Sequence, residues 1–267
     1  MEAICRDLAD EYQELDDTVS KLSEAEWNQT TPFFGWSIKD EISHIAFFDS
    51  TAYLATQNRE EFQKGFEDFL TKMKPGDSMY GLINDAGRKK PVDLVLKEWR
   101  EQRDGLVKAL SILDPKARLP WYGPDMSAKS FATARLMETW AHGQDVYDTL
   151  KIRRKLTDRI KHIAHLGVTT YGWSFMVRQQ QVPAPHMRVE LNSPSGELWV
   201  WGPEEAENSV KGDAGEFCQV VTQRRNVADT NLNMTGDAAK QWMQIAQAFA
   251  GMAEDPPKPG QRVVDYN

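Results

Sequence analysis

Glu138 and His142 stand four residues apart in a stretch of helical periodicity. Their side chains therefore leave one helix face about a turn apart, where a carboxylate and an imidazole can grip one divalent ion. Spacing alone proves little, because Asp40 with His44 and Asp158 with His162 repeat it, and both of those acids are accounted for as helix N-terminal carboxylates. Placement separates Glu138 and His142: they lie mid-helix beside the small residues Ala134 and Ala141, next to an apolar stripe where polar groups without partners are costly. His44, about two turns into another helix and flanked by Ile45 and Phe48, is a third polar group directed near a core. Two histidines and a carboxylate from facing helices leave a coordination position open, the arrangement of catalytic rather than structural zinc. The competing reading is a core histidine satisfied by an ordinary hydrogen bond.

Other candidates are weaker. His162 and His165 form a second pair on one helix face, but Arg159 and Lys161 beside them oppose a cation. His186, next to Pro185, reads as incidental. Asp145 either orients a ligating histidine or solvates a helix end, and Asp148 is expected to do the latter. Trp27, Trp99, Trp140, Trp173 and Trp242 fall on apolar stripes and are assigned to the core. Cys5 and Cys218, in opposite halves of the chain, exclude a disulfide framework or a Cys-rich zinc finger and read as packed thiols of a reducing compartment.

The elements that must position these groups follow from periodicity. Ile4, Leu8, Tyr12, Leu15, Val19 and Leu22 mark a first amphipathic helix. Ser23 to Glu26 resembles a capping box, and Ser37 with Asp40 starts a second long helix carrying His44. Between about 58 and 90 a lid-like insertion with one small helix and a turn at Lys74 to Asp77 is expected. Pro91 opens a third long helix. Ser127 or Ser130 caps a fourth, which carries Glu138 and His142. A further helix is predicted from about Thr157 to Gln180. After Val182 to Pro185 the period changes to alternation, with Met187, Val189 and Leu191 on one face and Leu198 and Val200 opposed to Trp199 and Trp201. A helix from Ala214 to Gln223, a strand near Leu232 to Met234 and a helix from Asp237 to Ala250 complete a small α+β unit. The expected organisation is a helical domain over 1–181, an α+β domain over 186–255 and a loose tail over 256–267.

Length and composition exclude several function classes. The chain has 267 residues, enough for one large domain or two modest ones. Its 32 basic against 40 acidic residues give a net charge of -8, so no basic field attracts nucleic acid or an anionic membrane. The longest uncharged stretch, Ile163 to Val177, falls short of the roughly 18 apolar residues of a membrane span. The opening Met-Glu-Ala-Ile-Cys-Arg-Asp has acid where a secretory signal has base, and a cytoplasmic protein is expected.

The run Trp36-Ser37-Ile38-Lys39-Asp40-Glu41-Ile42-Ser43-His44-Ile45, followed about ninety residues later by Glu138-Thr139-Trp140-Ala141-His142-Gly143-Gln144-Asp145, resembles the DinB-like metal-binding four-helix bundles. It is more similar to their mycothiol-dependent maleylpyruvate isomerase branch, in which the first ligand of the last-helix pair is Glu rather than His. The resemblance spans about 150 N-terminal residues. The second unit is similar, by a looser match at Val210 to Asp213 and Val220 to Arg225, to that branch's sterol-carrier-like α+β domain. The implied fold class is mainly α with a smaller α+β domain. The resemblance implies a divalent metal, usually zinc, on His44, Glu138 and His142, and an active cleft between bundle and C-terminal domain. It also implies a cleft-facing arginine after the first C-terminal helix, for which this chain offers Arg224 and Arg225. Helical extrapolation from Phe217, Val220 and Val221 puts Arg224 on the apolar side and Arg225 about 100° further round, toward solvent or the next loop.

The activity this implies is a metal-dependent isomerisation or S-transfer using a low-molecular-weight thiol, mycothiol-like or other. The metal lowers the thiol's pKa, and the thiolate is the nucleophile. In an isomerase it adds to an activated double bond, permits rotation and leaves, while Arg224 or Arg225 holds a carboxylate of a small-molecule substrate. Two alternatives stay open: a metal-dependent hydrolase with Asp145 as general base, and a non-catalytic metal- and ligand-binding protein.

Overall fold

Ser37 accepts a hydrogen bond from the backbone of Asp40 while the Asp40 carboxylate accepts from the backbone of Ser37, and this capping box fixes where the helix bearing His44 begins. In the computed structural model, which describes residues 1–76, 78–183 and 187–266, the first half of the chain is mainly helical. Its helices are α1 (Glu2–Val19), α2 (Glu24–Trp27), α3 (Ile38–Gln57), α4 (Arg59–Lys72), α5 (Met79–Arg88), α6 (Val92–Ser111) and α7 (Ala128–Leu150). A short antiparallel pair, β1 (Arg118–Leu119) with β2 (Met126–Ser127), leads into α7.

The long helices form a ring in which α3 packs on α6 and α7, and α1 on the same two. Leu8, Leu15, Ile42, Ile45, Trp99, Leu106, Leu136 and Trp140 are buried at its centre. Their spacing of three and four residues is the sequence's own statement of which faces meet. The insertion contains two helices rather than one, and both α4 and α5 pack on α3. α5 comes so close that a Cβ on Gly87 would lie 2.3 Å from the Ser43 hydroxyl, which makes glycine a condition of this contact next to His44. Asp77, the last residue of the expected turn, lies outside the described residues.

The chain divides into compact units Met1–Leu150 and Lys151–Asn267. The break therefore falls well before the expected boundary near 181. Residues 158 to 176 form a 3-10 turn (Asp158–Ile160) followed by α8 (Lys161–Thr169) and α9 (Tyr171–Met176), instead of one long helix. The interruption is at Thr170, whose hydroxyl bonds back to the Leu166 carbonyl at 2.8 Å, a local alternative to helix continuation.

The second unit continues with β3 (Met187–Asn192), β4 (Leu198–Trp201), β5 (Asn208–Asp213), α10 (Ala214–Val221), β6 (Asn233–Thr235) and α11 (Asp237–Ile245). The sheet order is β4-β3-β5-β6, with β3 parallel to β5 and the outer pairs antiparallel. α10 packs on β3 and β5, α11 on β5 and β6, while α8 lies on α10 and α9 on α11, which is why 151–181 belongs to this unit. Register puts Val189 opposite Trp201 and Val210, and Leu191 opposite Trp199. Trp199 is thus buried, and Leu198 and Val200 are exposed. Residues 256–266 are not loose: Asn226 donates to the Pro257 carbonyl, Arg225 to the Tyr266 hydroxyl, and the buried Arg262 to the Gln223 carbonyl. No helix among the described residues is long and apolar enough to cross a membrane.

Candidate functional site

His44 on α3 and Glu138 and His142 on α7 converge, one donor atom of each lying within 4.8 Å of the others. Both imidazoles are buried, whereas 27% of the Glu138 side chain is exposed, so the cluster opens to one side at the carboxylate. His142 Nε2 stands 3.4 Å from Glu138 Oε2, and the two imidazole centroids are 4.5 Å apart. Aromatic rings wall the histidines: Trp36 lies parallel to His142 at 5.9 Å, Phe33 meets it edge-on, and Trp36, Phe48 and Tyr80 surround His44. Two imidazoles and one carboxylate are a donor set suited to zinc or a similar divalent ion, and three protein ligands leave a position for an external group.

On its other edge His142 meets Glu41, a residue that sequence reasoning missed. Glu41 Oε2 lies 2.7 Å from His142 Nδ1, and Glu41 Oε1 accepts the Thr31 hydroxyl at 2.6 Å. Glu41, His142 and Asp145 form a second group of donors within 4.8 Å, all buried. The only signal in the sequence was that Glu41 precedes His44 by three residues and so shares its helix face, a signal masked because acids are ordinary in a first turn. Asp148 does not solvate the helix end; it is buried and accepts the Gln144 amide at 2.8 Å. The pair His162 and His165 joins no metal-holding group among the described residues, and His165 Nδ1 accepts from the Trp201 indole. His186 lies outside the described residues.

Below the site, the buried Asp49 carboxylate joins all four long helices. It accepts from Tyr12 Oη at 2.5 Å, Trp99 Nε1 at 3.0 Å and Arg135 Nε at 2.9 Å. Burial alone would lower the Arg135 pKa, but the charge and hydrogen bond of Asp49, together with Tyr12 and the charge of Glu138, more than offset this and raise it. Burial and the same charge push the Tyr12 hydroxyl well above its ordinary value.

Arg224 and Arg225 are both buried, so of the two directions expected for Arg225, solvent or the next loop, solvent is ruled out. α10 ends at Val221, and Gln223 takes a left-handed conformation with φ 58°. The Gln223 amide then bonds the Val220 carbonyl and the Arg224 amide the Gln219 carbonyl, a Schellman closure. Gln223 tolerates this because its side-chain amide bonds the Ala246 and Glu254 carbonyls. Both arginines thus follow a reversal of the chain rather than a continuing helix. Arg224 Nη1 donates to the Thr222 carbonyl, and Arg225 to the Arg224 carbonyl and to Tyr266.

Residues 8–147 match the family model described as the mycothiol maleylpyruvate isomerase N-terminal domain. Two proteins of Mycobacterium tuberculosis, from strains CDC 1551 / Oshkosh and ATCC 25618 / H37Rv and each described as uncharacterized, are 41% identical to this chain over 249 residues, covering 92% of it and 94% of their own length. Crystal structures of the mycothiol-dependent maleylpyruvate isomerase and of a histidine-to-alanine mutant of it are similar in fold. Their TM-scores are 0.52 and 0.53 at 14% and 12% identity, over 82% of this chain and 87% of theirs.

Proposed function

Because the chain belongs to the family of the mycothiol maleylpyruvate isomerase N-terminal domain, we propose that it is a divalent-metal-dependent enzyme using a low-molecular-weight thiol for isomerisation or S-transfer on a small carboxylate-bearing substrate. The observation that carries this reading is the convergence of His44, Glu138 and His142 donor atoms within 4.8 Å on two facing helices. A divalent ion, zinc by preference, supplies when bound the Lewis acidity that makes a thiol available as thiolate near neutral pH. His44 and His142 offer neutral nitrogen donors, and Glu138 adds a negative charge at the accessible edge of the cluster. Phe33, Trp36, Phe48 and Tyr80 keep water from the imidazoles, which strengthens every charge interaction at the centre. A planar guanidinium, Arg224 or Arg225, holds the substrate carboxylate through paired hydrogen bonds.

The chain's own thiols are not the nucleophile in this reading. Cys5 and Cys218 are buried, and burial raises the pKa of both, Cys218 strongly, so neither supplies a thiolate. A hydrolytic role with Asp145 as general base is less well supported, because Asp145 is fully buried and a base for water must reach it.

The test is thermal denaturation of metal-loaded and metal-stripped protein with mycothiol and other small thiols. A thiol at a hundred times its dissociation constant is expected to stabilise the loaded protein by about 2.7 kcal/mol and to leave the stripped protein unchanged. Equal responses in both forms, or none to any thiol, would remove thiol use from the account.

A further inference from the structure

We infer that Glu41 is a positioning residue for the candidate centre: its carboxylate holds His142 as the Nδ1–H tautomer and turns Nε2 toward His44 and Glu138. The inference rests on the reading of His44, Glu138 and His142 as metal ligands.

The two edges of the His142 ring differ in a way that assigns them. An ion held by both an imidazole nitrogen (about 2.0 to 2.1 Å) and a carboxylate oxygen (about 2.0 to 2.2 Å) at a tetrahedral angle separates those atoms by about 3.4 Å. The separation of Nε2 from Glu138 Oε2 is 3.4 Å. The separation of Nδ1 from Glu41 Oε2 is 2.7 Å, too close to admit an ion and typical of a charge-assisted hydrogen bond. Glu41, His142 and Asp145 also come within 4.8 Å of one another, but this contact makes Nδ1 a hydrogen-bonding edge rather than a ligand edge.

Proton placement follows from the donor inventory. An ionised carboxylate only accepts, so the ring atom facing Glu41 carries the hydrogen, and a neutral imidazole has one N–H to give. Nε2 is then the atom with a lone pair. Glu41 itself is fixed from both ends, since its second oxygen accepts the Thr31 hydroxyl at 2.6 Å and the residue is completely buried. Thr31 also accepts from the Phe33 amide and donates its own amide to the Trp36 carbonyl. One carboxylate thus sets the imidazole and anchors the loop whose Phe33 and Trp36 rings pack against it. Glutamine at 41 does not reproduce this: with its oxygen kept on the Thr31 hydroxyl, its NH2 faces His142 Nδ1 and favours the tautomer with hydrogen on Nε2.

The experiment is nitrogen NMR of the metal-free protein at a pH where imidazole is neutral, with His142 assigned by loss of its signals in His142→Ala, alongside zinc affinity by chelator competition. Wild-type His142 is expected as the Nδ1–H form. Glu41→Gln is expected to shift population toward Nε2–H and to weaken zinc ten- to hundredfold, the usual effect of losing such an outer partner. A wild-type His142 protonated on Nε2 overturns the inference whether or not the variant folds. So does Glu41→Gln with an unchanged tautomer, or with zinc affinity within threefold of wild type. If neither protein binds zinc while the tautomer shifts as expected, the metal reading fails and the positioning of the ring by Glu41 stands.

Discussion

Replacing Asp49 by Asn keeps the side chain's shape and removes the charge that pairs directly with Arg135 inside the bundle. The pair is buried at both ends, with side-chain exposures of 4% for Arg135 and 0% for Asp49. Taking one partner from such a pair leaves an uncompensated charge and costs about 3 to 5 kcal/mol. Asn also turns one of its two ends into a donor, which then faces Tyr12, Trp99 or Arg135, all donors to Asp49 in the native protein. At roughly 2 to 4 °C per kcal/mol for a unit of this size, the midpoint should fall by about 6 to 20 °C. Urea unfolding of Asp49→Asn, followed by helical circular dichroism, measures the loss directly. The double variant Asp49→Leu, Arg135→Met is expected to recover the part due to the uncompensated charge but not all of the loss, since Tyr12 and Trp99 still lose their acceptor. A cost below about 1 kcal/mol for Asp49→Asn, or a double variant no better than the sum of the singles, would refute the reasoning. Asp49 follows His44 on α3 and Arg135 precedes Glu138 on α7, so the same variant should also loosen metal binding.

Acid stability should depend on Asp16, which binds Arg100 at 2.5 Å and Arg103 at 2.7 Å. Burial alone would raise its pKa, but the hydrogen bond from Arg100 and the Arg103 charge prevail and hold it below the ordinary value. A depressed folded pKa binds fewer protons in the folded state, so this stability is present above the unfolded value of about 3.9 and disappears as pH falls through the lower folded value. Asp16→Asn should flatten that limb of the stability curve, and an unchanged acid limb would contradict the assignment. Chelation should leave far-ultraviolet circular dichroism intact, because the apolar stripes of α1, α3, α6 and α7 close the bundle without an ion; metal-dependent unfolding would show otherwise. Arg224→Lys should raise the KM for a carboxylate substrate about tenfold, since a point charge replaces a planar fork, while Arg225→Lys should act through a lowered midpoint by losing its bond to Tyr266. Effects under threefold on KM at both positions would withdraw the carboxylate role.

Much of the bundle was legible because its signals are local. Apolar steps of three and four fixed the long helices, the Ser37/Asp40 box fixed the start of α3, and the Ser23/Glu26 box that of the short α2. Glu138 and His142 stood out because mid-helix polar groups beside a packing stripe need a reason. Glu41 did not, because a first-turn acid is unremarked until its partner 101 residues away is known. The burial of Arg225 was missed for a different cause: period arguments assume the helix continues, and Gln223 reverses the chain at φ 58° with no glycine to announce it. In β4 both faces carry apolar residues, so alternation could not choose between the tryptophans and Leu198 with Val200; the pairing of Leu191 with Trp199 does. The unit boundary was misread because Pro183 and Pro185 are conspicuous, whereas the packing of α8 on α10 leaves no mark in local sequence.

The central claim is that His44, Glu138 and His142 together hold a divalent ion. Metal analysis of the purified wild-type chain beside folded His44→Ala and His142→Ala tests it most directly. About one zinc or similar ion per wild-type chain, with most of it lost in each variant, is the result expected. Full occupancy in both variants, or a wild-type chain that takes up no divalent ion on loading, would contradict it.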